Sequence, residues 1–390
     1  MQKEILIITN YFPPEKGAAS NRIFDMANTY KNNDYEVLVV CPLPNYPKGK
    51  IFKAYKKKFL LTENTEGVKI KRLWLYASNS KNKFLRLLSM LSFGLNLFMY
   101  LLYKKTPKKV IIQCSPLFVG FFGVLISKLK RKTIILNVSD LWPLAGLQMG
   151  ILKKGFYYNI LERVERFNYK SARLILGQSK EILNHIKLIF PEKSFYLYRN
   201  LPNFKAPKNI QTKNLNEIKI VYAGLLGVAQ GVANICENIK LPKNVIFDIY
   251  GDGPEVERII ELSNENSQLN YHGLVNRDKL HKVLVHYNFT LIPLTNRIYG
   301  SVPSKIFEYS RLGLPIIFLS EGEGSELVDK YRLGYTLKDN DINGLNNLIS
   351  NLANQTQTPL ISSVEIRKNA IEAFDFNTQF KKLLETMNSL

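Results

Sequence analysis

Short runs of branched apolar residues, each closed by a turn and followed by a stretch of helical periodicity, recur along this whole chain. In the first half they are Ile5–Thr9, Glu36–Cys41, Lys69–Trp74, Val110–Gln113, Thr133–Val138 and Leu174–Leu176. Between the first two lies NRIFDMANTYK (Asn21–Lys31), whose Ile23, Met26, Ala27 and Tyr30 share one helical face. The second half restarts the pattern with Lys219–Tyr222, Val245–Tyr250, Asn270–His272, Phe289–Ile292 and Pro315–Phe318. Strands spaced by helices imply parallel sheets built from crossover units, so the alternation predicts an α/β chain of two Rossmann-like domains. A polar stretch at 203–217 separates them. The expected limits are 1–205 and 206–370, with residues 371–390 finishing a last helix, Val364–Met387, that packs toward the N-terminal domain.

A chain of 390 residues is long enough for two cores, and 46% hydrophobic against 22% charged residues excludes a disordered protein. Cys41, Cys114 and Cys236 lie far apart and read as buried thiols of a reducing compartment. His185, His272, His281 and His286 show no HExxH spacing, so no protein-bound metal is expected. The apolar run after Met1-Gln2-Lys3-Glu4 is too short for a signal peptide and fits a buried strand, which predicts a cytoplasmic protein.

Charge is segregated. Residues 1–205 hold 35 Lys and Arg against 12 Asp and Glu, and the remainder 19 against 20, so the first half carries the whole net charge of +22. Such a one-sided field attracts a polyanion or an anionic membrane surface. Within it, Leu87–Tyr103 is uncharged and flanked by Lys81, Lys83, Arg86, Lys104 and Lys105. It stands at the short limit for a membrane span, and a span would split the first α/β domain. A buried core helix or a helix lying in a membrane interface remains, and the surrounding lysines favour the interface.

Four turns are candidate binding loops. Tyr11–Ala19 (YFPPEKGAA) follows the first strand, and the helix after it turns free N–H groups toward the loop, so Gly17, Ala18 and Asn21 are candidate ligand contacts on the acceptor side; a plain strand-to-helix turn is the alternative. The loop Gly224–Gly231 (GLLGVAQG), with Gly224, Gly227 and Gln230, and the turn Gly251–Glu255 (GDGPE), with Gly251 and Gly253, have the shape of a pyrophosphate cradle. Neither is a GxGxxG or P-loop fingerprint, and either could be a tight turn alone. Most specific is Val302–Pro315. Pro303 starts a helix, so Ser304 and Lys305 present N–H groups, a hydroxyl and an ammonium to one point, with Glu308 one turn on along the same face. That arrangement suits a phosphate at the helix start and a ribose diol on Glu308; a capped helix with a local Lys–Glu pair is the plainer reading.

Together YFPPEKGAASNR, PNYPKG (Pro44–Gly49), SDLWP (Ser139–Pro143), AGLLGVAQG, YGDGPE and PSKIFEYSRLGLP resemble the GT-B glycosyltransferases of family 4 over the whole chain and in order. Within that family they resemble one bacterial branch, which includes L-fucosamine (L-FucNAc) transferases of capsule and O-antigen synthesis. It implies two domains facing across a cleft, the second binding a UDP-sugar and the first an acceptor such as an undecaprenyl-diphosphate-linked saccharide. It implies further that Glu308 binds ribose, that Ser304, Lys305 and the two glycine turns surround the diphosphate and base, and that the UDP-sugar is a co-substrate with no cofactor or metal. Two departures stand out. Gly300 occupies the place of the first Glu of the family's E-x7-E pair, and Leu225–Gln230 lacks the Arg and Lys that members carry there. Lys305, with Arg277 or Arg297, is then expected to supply the positive charge.

Asp140, the sole acidic residue between Gly67 and Leu161, sits at a strand end where a general base or an acceptor-hydroxyl ligand belongs, or where an Asp caps the next turn. Glu15 is the competing carboxylate. The expected protein is thus a glycosyltransferase peripheral to the inner face of the plasma membrane. A sugar-nucleotide epimerase of related fold is the rival enzyme. A non-catalytic basic protein is the other rival, although no nucleic-acid-binding signature appears.

Overall fold

The computed structural model describes residues 3–15, 17–80, 82–204, 206–207, 216–295, 297–354 and 361–389, apart from the side chains of Ala18, Lys83 and Asp278. Most of the 203–217 linker, the loop at 355–359 and Lys81 lie outside the described residues. The chain divides into two compact units, Met1–Asn200 with Asn377–Leu390, and Leu201–Phe376. The first boundary thus falls ahead of residue 205, and the return to the first unit falls at Asn377, not at 371.

The first unit runs β1 (Lys3–Ile8), α1 (Ala18–Lys31), β2 (Tyr35–Pro42), β3 (Leu60–Thr65), β4 (Val68–Leu73), α2 (Lys83–Tyr103), β5 (Lys109–Gln113), α3 (Leu117–Leu129), β6 (Thr133–Val138), α4 (Leu144–Gln148), α5 (Phe156–Ser171), β7 (Leu174–Gly177), α6 (Lys180–Ile189) and β8 (Ser194–Leu197). The second runs β9 (Ile218–Leu225), α7 (Val232–Asn238), β10 (Val245–Asp252), α8 (Val256–Glu265), β11 (Leu269–Gly273), α9 (Arg277–Leu284), β12 (Phe289–Pro293), α10 (Ser304–Arg311), β13 (Ile316–Leu319), α11 (Glu323–Lys330), β14 (Gly334–Leu337), α12 (Ile342–Ala353) and α13 (Ser363–Ala373). The closing helix, α14 (Phe376–Asn388), belongs to the first unit.

Both sheets have one plan. The first is ordered β3-β4-β2-β1-β5-β6-β7-β8 and the second β11-β10-β9-β12-β13-β14. All pairings are parallel except β3 with β4. Leaving out β3, the first is the doubly wound order 3-2-1-4-5-6 with a seventh strand added beyond the sixth, and the second is 3-2-1-4-5-6; in this order strand order reverses beside the first strand and ligands bind at the carboxyl ends there. The switch points are β1/β5 and β9/β12. Strand interiors such as Ile5–Ile8, Val39–Cys41 and Ile316–Phe318 are buried, as sheets covered on both faces require.

Three expectations are corrected. β3 escaped the apolar pattern because it is an edge strand whose LLTENT sequence is half exposed; Glu66 (φ 52) and Gly67 (φ 84) turn it into β4. The single helix expected at 364–387 is two. Its break coincides with Phe374, which docks edge-on against Phe307 and Tyr331, both rings at 4.9 Å, while α14 packs Phe380 on Tyr30 at 4.8 Å. The apolar helix begins at Lys83, not Leu87, capped by the Asn82 side chain on Phe84 N–H (2.9 Å), and it therefore includes Arg86.

Helix α2 packs on α3 through Gly94, where a Cβ would overlap the ring of Phe122. Gly94→Val should therefore overpack this seam and cost about 1–3 kcal/mol of stability. Urea unfolding of the two proteins checks it, and an unchanged midpoint would show that α3 gives way freely.

Candidate functional site

In the second unit the carboxyl ends of β9 and β10 are glycines for a steric reason. Gly251 (φ 149) pairs with Gly224, and a Cβ on it would run into the Gly224 carbonyl; one on Gly253 would meet the Leu226 carbonyl. The two loops close backbone on backbone, with Leu226 N–H donating to Asp252 O (3.0 Å) and Glu255 N–H to Leu226 O (3.0 Å). Gly227 O accepts from Gln230 N–H at 2.9 Å, and Gly231 is left-handed with Thr295 where its Cβ would be. The Gln230 amide oxygen is turned back over Gly227, buried and without a hydrogen-bond partner.

Helix α10 faces these loops. Pro303 precedes it with φ −61 and makes no side-chain cap; in its first turn Ile306 N–H donates to Pro303 O (3.1 Å). Lys305 leaves the helix for the β9 loop. Its Nζ lies 4.6 Å from the Tyr222 ring centroid and occupies the space that a Cβ on Gly224 would take. Burial lowers its pKa to about 8, against the raising pull of Glu308. Tyr222 OH donates to Leu225 O (2.5 Å) and Tyr309 OH to Ala223 O (3.0 Å), which ties the end of β9 to α10.

Glu308 turns toward α9. One oxygen, Oε1, receives Arg277 Nε at 2.7 Å and His281 Nε2 at 2.5 Å. Burial alone would raise this carboxyl, but the His281 bond and the Arg277 charge outweigh it and hold it below the usual range. Phe204 backs the cluster, its ring 4.3 Å from that of His281 and within 6 Å of the Arg277 and Arg311 guanidinium groups. Arg277 is thereby committed to the carboxylate, and Arg297 lies across Gly322 at the start of α11. Of the three cations considered from the sequence, Lys305 is the one that reaches the glycine loop.

In the first unit Glu15 is 4% exposed and works as a latch. Its Oε1 accepts the backbone N–H groups of Asn45 and Tyr46, both at 2.8 Å, and Oε2 that of Phe12 at 3.4 Å. Arg72, itself buried, donates to Pro13 O and pairs with Glu63. These bonds join the loops after β1 and β2 beside a pocket of about 150 Å³. Asn10, Asn45, Asn79 and Ser89 line it with Tyr11 and Tyr46; among the described residues Arg86 of α2 is its one charged residue. Gly17 (φ 151) leads into α1, Ala18 is its first residue and Asn21 is exposed in its first turn.

Asp140 is half-buried after β6, with Ser115 Oγ 3.4 Å from its Oδ2. Burial raises its pKa, opposed by the Arg22 charge and the Ser115 bond. Sequence reasoning missed what holds this turn. Arg22 donates to Asn137 and, at 3.1 Å, to Gln178; Asn137 donates to Gln113 (2.8 Å), Gln113 to Ser139 Oγ (2.8 Å), and Gln178 to Ser139 O. The ring of bonds closes on the residue before Asp140. Its signal was present, since Arg22 lies four residues before Met26 on the buried face of α1. His281 was missed likewise, four residues after Arg277 on α9.

Removing the His281 bond should be visible as stability. His281→Phe leaves Glu308 with Arg277 alone and should cost about 1.5–3 kcal/mol at pH 7. Because a depressed carboxylate stabilises above its unfolded pKa and loses that contribution as pH falls through its folded one, the gap from the parent protein should shrink toward acid pH. Urea titrations at pH 7 and in acid measure it; a pH-independent gap would mean that ring packing, not the charge, was lost.

Residues 217–355 match the family model for glycosyl transferases group 1. No curated protein matches the chain in sequence. Among solved structures, sucrose-phosphate synthase from Thermosynechococcus elongatus superposes with a TM-score of 0.76 at 13% identity, covering 99% of this chain and 98% of that one. HepE of Anabaena, in complex with UDP and glucose, gives 0.69 at 14% identity over 100% of both chains. The lipopolysaccharide outer core galactosyltransferase WaaB gives 0.62 at 17% over 99% of both. At such identities the likeness establishes the fold: the chain has the GT-B fold, and its residues 217–355 match the glycosyl transferases group 1 model.

Proposed function

We propose that this protein is a glycosyltransferase that moves a sugar from a UDP-sugar to a lipid-diphosphate-linked saccharide. The observation that carries the donor half is the double use of α10. Lys305 brings an ammonium to the glycine loops where a diphosphate would lie, and one turn later Glu308 is fixed through Oε1 with Oε2 left for a ribose diol. Departure of the leaving group leaves the electron pair of the broken bond on the diphosphate oxygen, adding one negative charge to the two already there. A preorganised cation and helix N–H groups at that point stabilise the transition state more than the ground state. Lys305 thus takes the part of the cations that the β9 loop lacks.

On the acceptor side, a hydroxyl attacks the anomeric carbon, the bond from that carbon to the diphosphate oxygen breaks, and the hydroxyl proton passes to Asp140. Asp140 suits this task better than Glu15, whose oxygens are already taken by backbone N–H groups. The pocket beside Arg86 has the amides, hydroxyls and aromatic rings that sugars need, and one cation for a phosphate. The basic first half supports an acceptor held at the inner face of an anionic plasma membrane. Resemblance in the motifs supports an N-acetylated deoxy sugar such as L-FucNAc and a role in capsule or O-antigen synthesis.

Incubation with a panel of UDP-sugars and a synthetic lipid-diphosphate saccharide, read by mass spectrometry, tests the reading. Transfer adds one sugar mass to the lipid and releases UDP; an epimerised UDP-sugar with unchanged lipid would replace this reading by the rival one. Lys305→Ala should lower kcat by about 100-fold or more. With a pKa near 8 in the empty site, Lys305 is charged below that pH and loses its proton above it. The donor kcat/KM should therefore fall above pH 8, and Lys305→Arg, which stays protonated, should flatten the fall. Asp140→Asn should lower kcat by about 100-fold or more with little change in donor KM; full activity in that variant removes Asp140 as the base.

A further inference from the structure

Helices α2, α3 and α5 lie side by side on the first sheet. Gly94 seats Phe122 between α2 and α3, and Phe121 meets Phe167 at 5.4 Å between α3 and α5. Each follows a parallel strand, so each begins at the carboxyl edge of the sheet. On α2, Phe93, Leu97 and Leu101 are buried. At 100° per residue the opposite arc carries Phe84, Leu88, Leu95, Met99 and Leu102, exposed by 70, 41, 52, 51 and 41% and uninterrupted by charge. Over these residues the helix rises about 27 Å. Only 28% of its apolar stretch is buried, and Phe93, Leu97 and Leu101 pack inward, as suits a helix lying along an interface.

A second exposed apolar group stands at the same edge, where no sequence pattern announced it. Between α4 and α5 the chain leaves Met149, Ile151, Phe156 and Tyr157 in water, Phe156 by 82%, with Lys153 and Lys154 exposed among them. Exposed apolar clusters of this extent mark an interaction surface. A second copy of the chain would set one strongly basic surface against another. An anionic bilayer accepts the rings and the lysines together.

We propose that the segment 149–157 is a membrane anchor that acts with the exposed face of α2, Phe156 and Tyr157 entering the acyl boundary while Lys153 and Lys154 meet headgroup phosphates. It rests on the peripheral location proposed above and adds the surface that achieves it. Because the anchor lies at the carboxyl edge, the edge that carries the Arg86 pocket is the one held at the lipid.

The full chain is sedimented with vesicles of phosphatidylcholine alone and of phosphatidylcholine with phosphatidylglycerol, at low and at 0.5 M salt. The parent protein should bind the anionic vesicles. Phe156→Ser with Tyr157→Ser should weaken binding at least tenfold at either salt, and Lys153→Glu with Lys154→Glu at least tenfold at low salt only. Circular dichroism and UDP affinity should be unchanged in both. If the parent binds and both variants bind as it does, the anchor is refuted and peripheral attachment stands on α2 alone. If the parent binds neither vesicle, the peripheral reading falls as well. A dimer in solution that the variants dissociate, without vesicle binding, overturns the proposal in favour of a contact between copies.

Discussion

The missing side chain at Gly224 is what the glycine loops of the second unit are arranged around. It lets β9 and β10 end with their backbones in contact and leaves the space into which the Lys305 amine reaches. A side chain there would displace a flexible amine, at small cost to stability, whereas one at Gly251 would strike a carbonyl that cannot move. The two glycines therefore serve different ends, the first placing a charge and the second allowing the loops to close. Tyr222 and Tyr309 hold the same strand end to α10, so ammonium, helix N-terminus and loop form one rigid corner.

A lysine in that corner is costly to keep charged while the site is empty, which is why burial brings its pKa to about 8. A diphosphate would reverse the balance, because the desolvated ammonium then gains two negative neighbours. The Glu308 pKa falls too, but there the fall favours the charged form: two donors on one oxygen keep a largely buried carboxylate ionised. One residue penalised for its charge and one held in its charged form, a turn apart on a single helix, fit the anion-binding and diol-binding ends proposed for it.

Much of this was legible in the sequence because parallel strands buried on both faces leave long apolar runs, and because Pro303 and the glycines act through backbone geometry that residue type alone dictates. The edge strands β3 and β8 were illegible for the converse reason, since LLTENT and SFYL are only partly buried. The end of α13 carries no proline or glycine; Phe374 docks there by tertiary contact. Side-chain partners were the least legible part. Nothing local says that Glu308 chooses α9 over Lys305, or that Arg22 closes a ring with residues more than a hundred positions away.

The carboxylates of the first unit show how hydrogen-bond accounting separates residues that sequence position could not. Glu15 and Asp140 both follow a parallel strand at the edge where such sheets bind ligands. Three backbone donors satisfy Glu15, and an unpaired buried N–H would cost about 1–3 kcal/mol, so its carboxylate cannot turn to a substrate without breaking the loops it joins. Asp140 accepts one long bond, from Ser115, and the polar ring that fixes its turn ends on the preceding residue, so its carboxylate is far less engaged than that of Glu15. Orientation is thus supplied from outside the carboxylate. The base proposed here at Asp140 would need that division of labour, since bonds made to its own oxygens would change with every proton gained and lost.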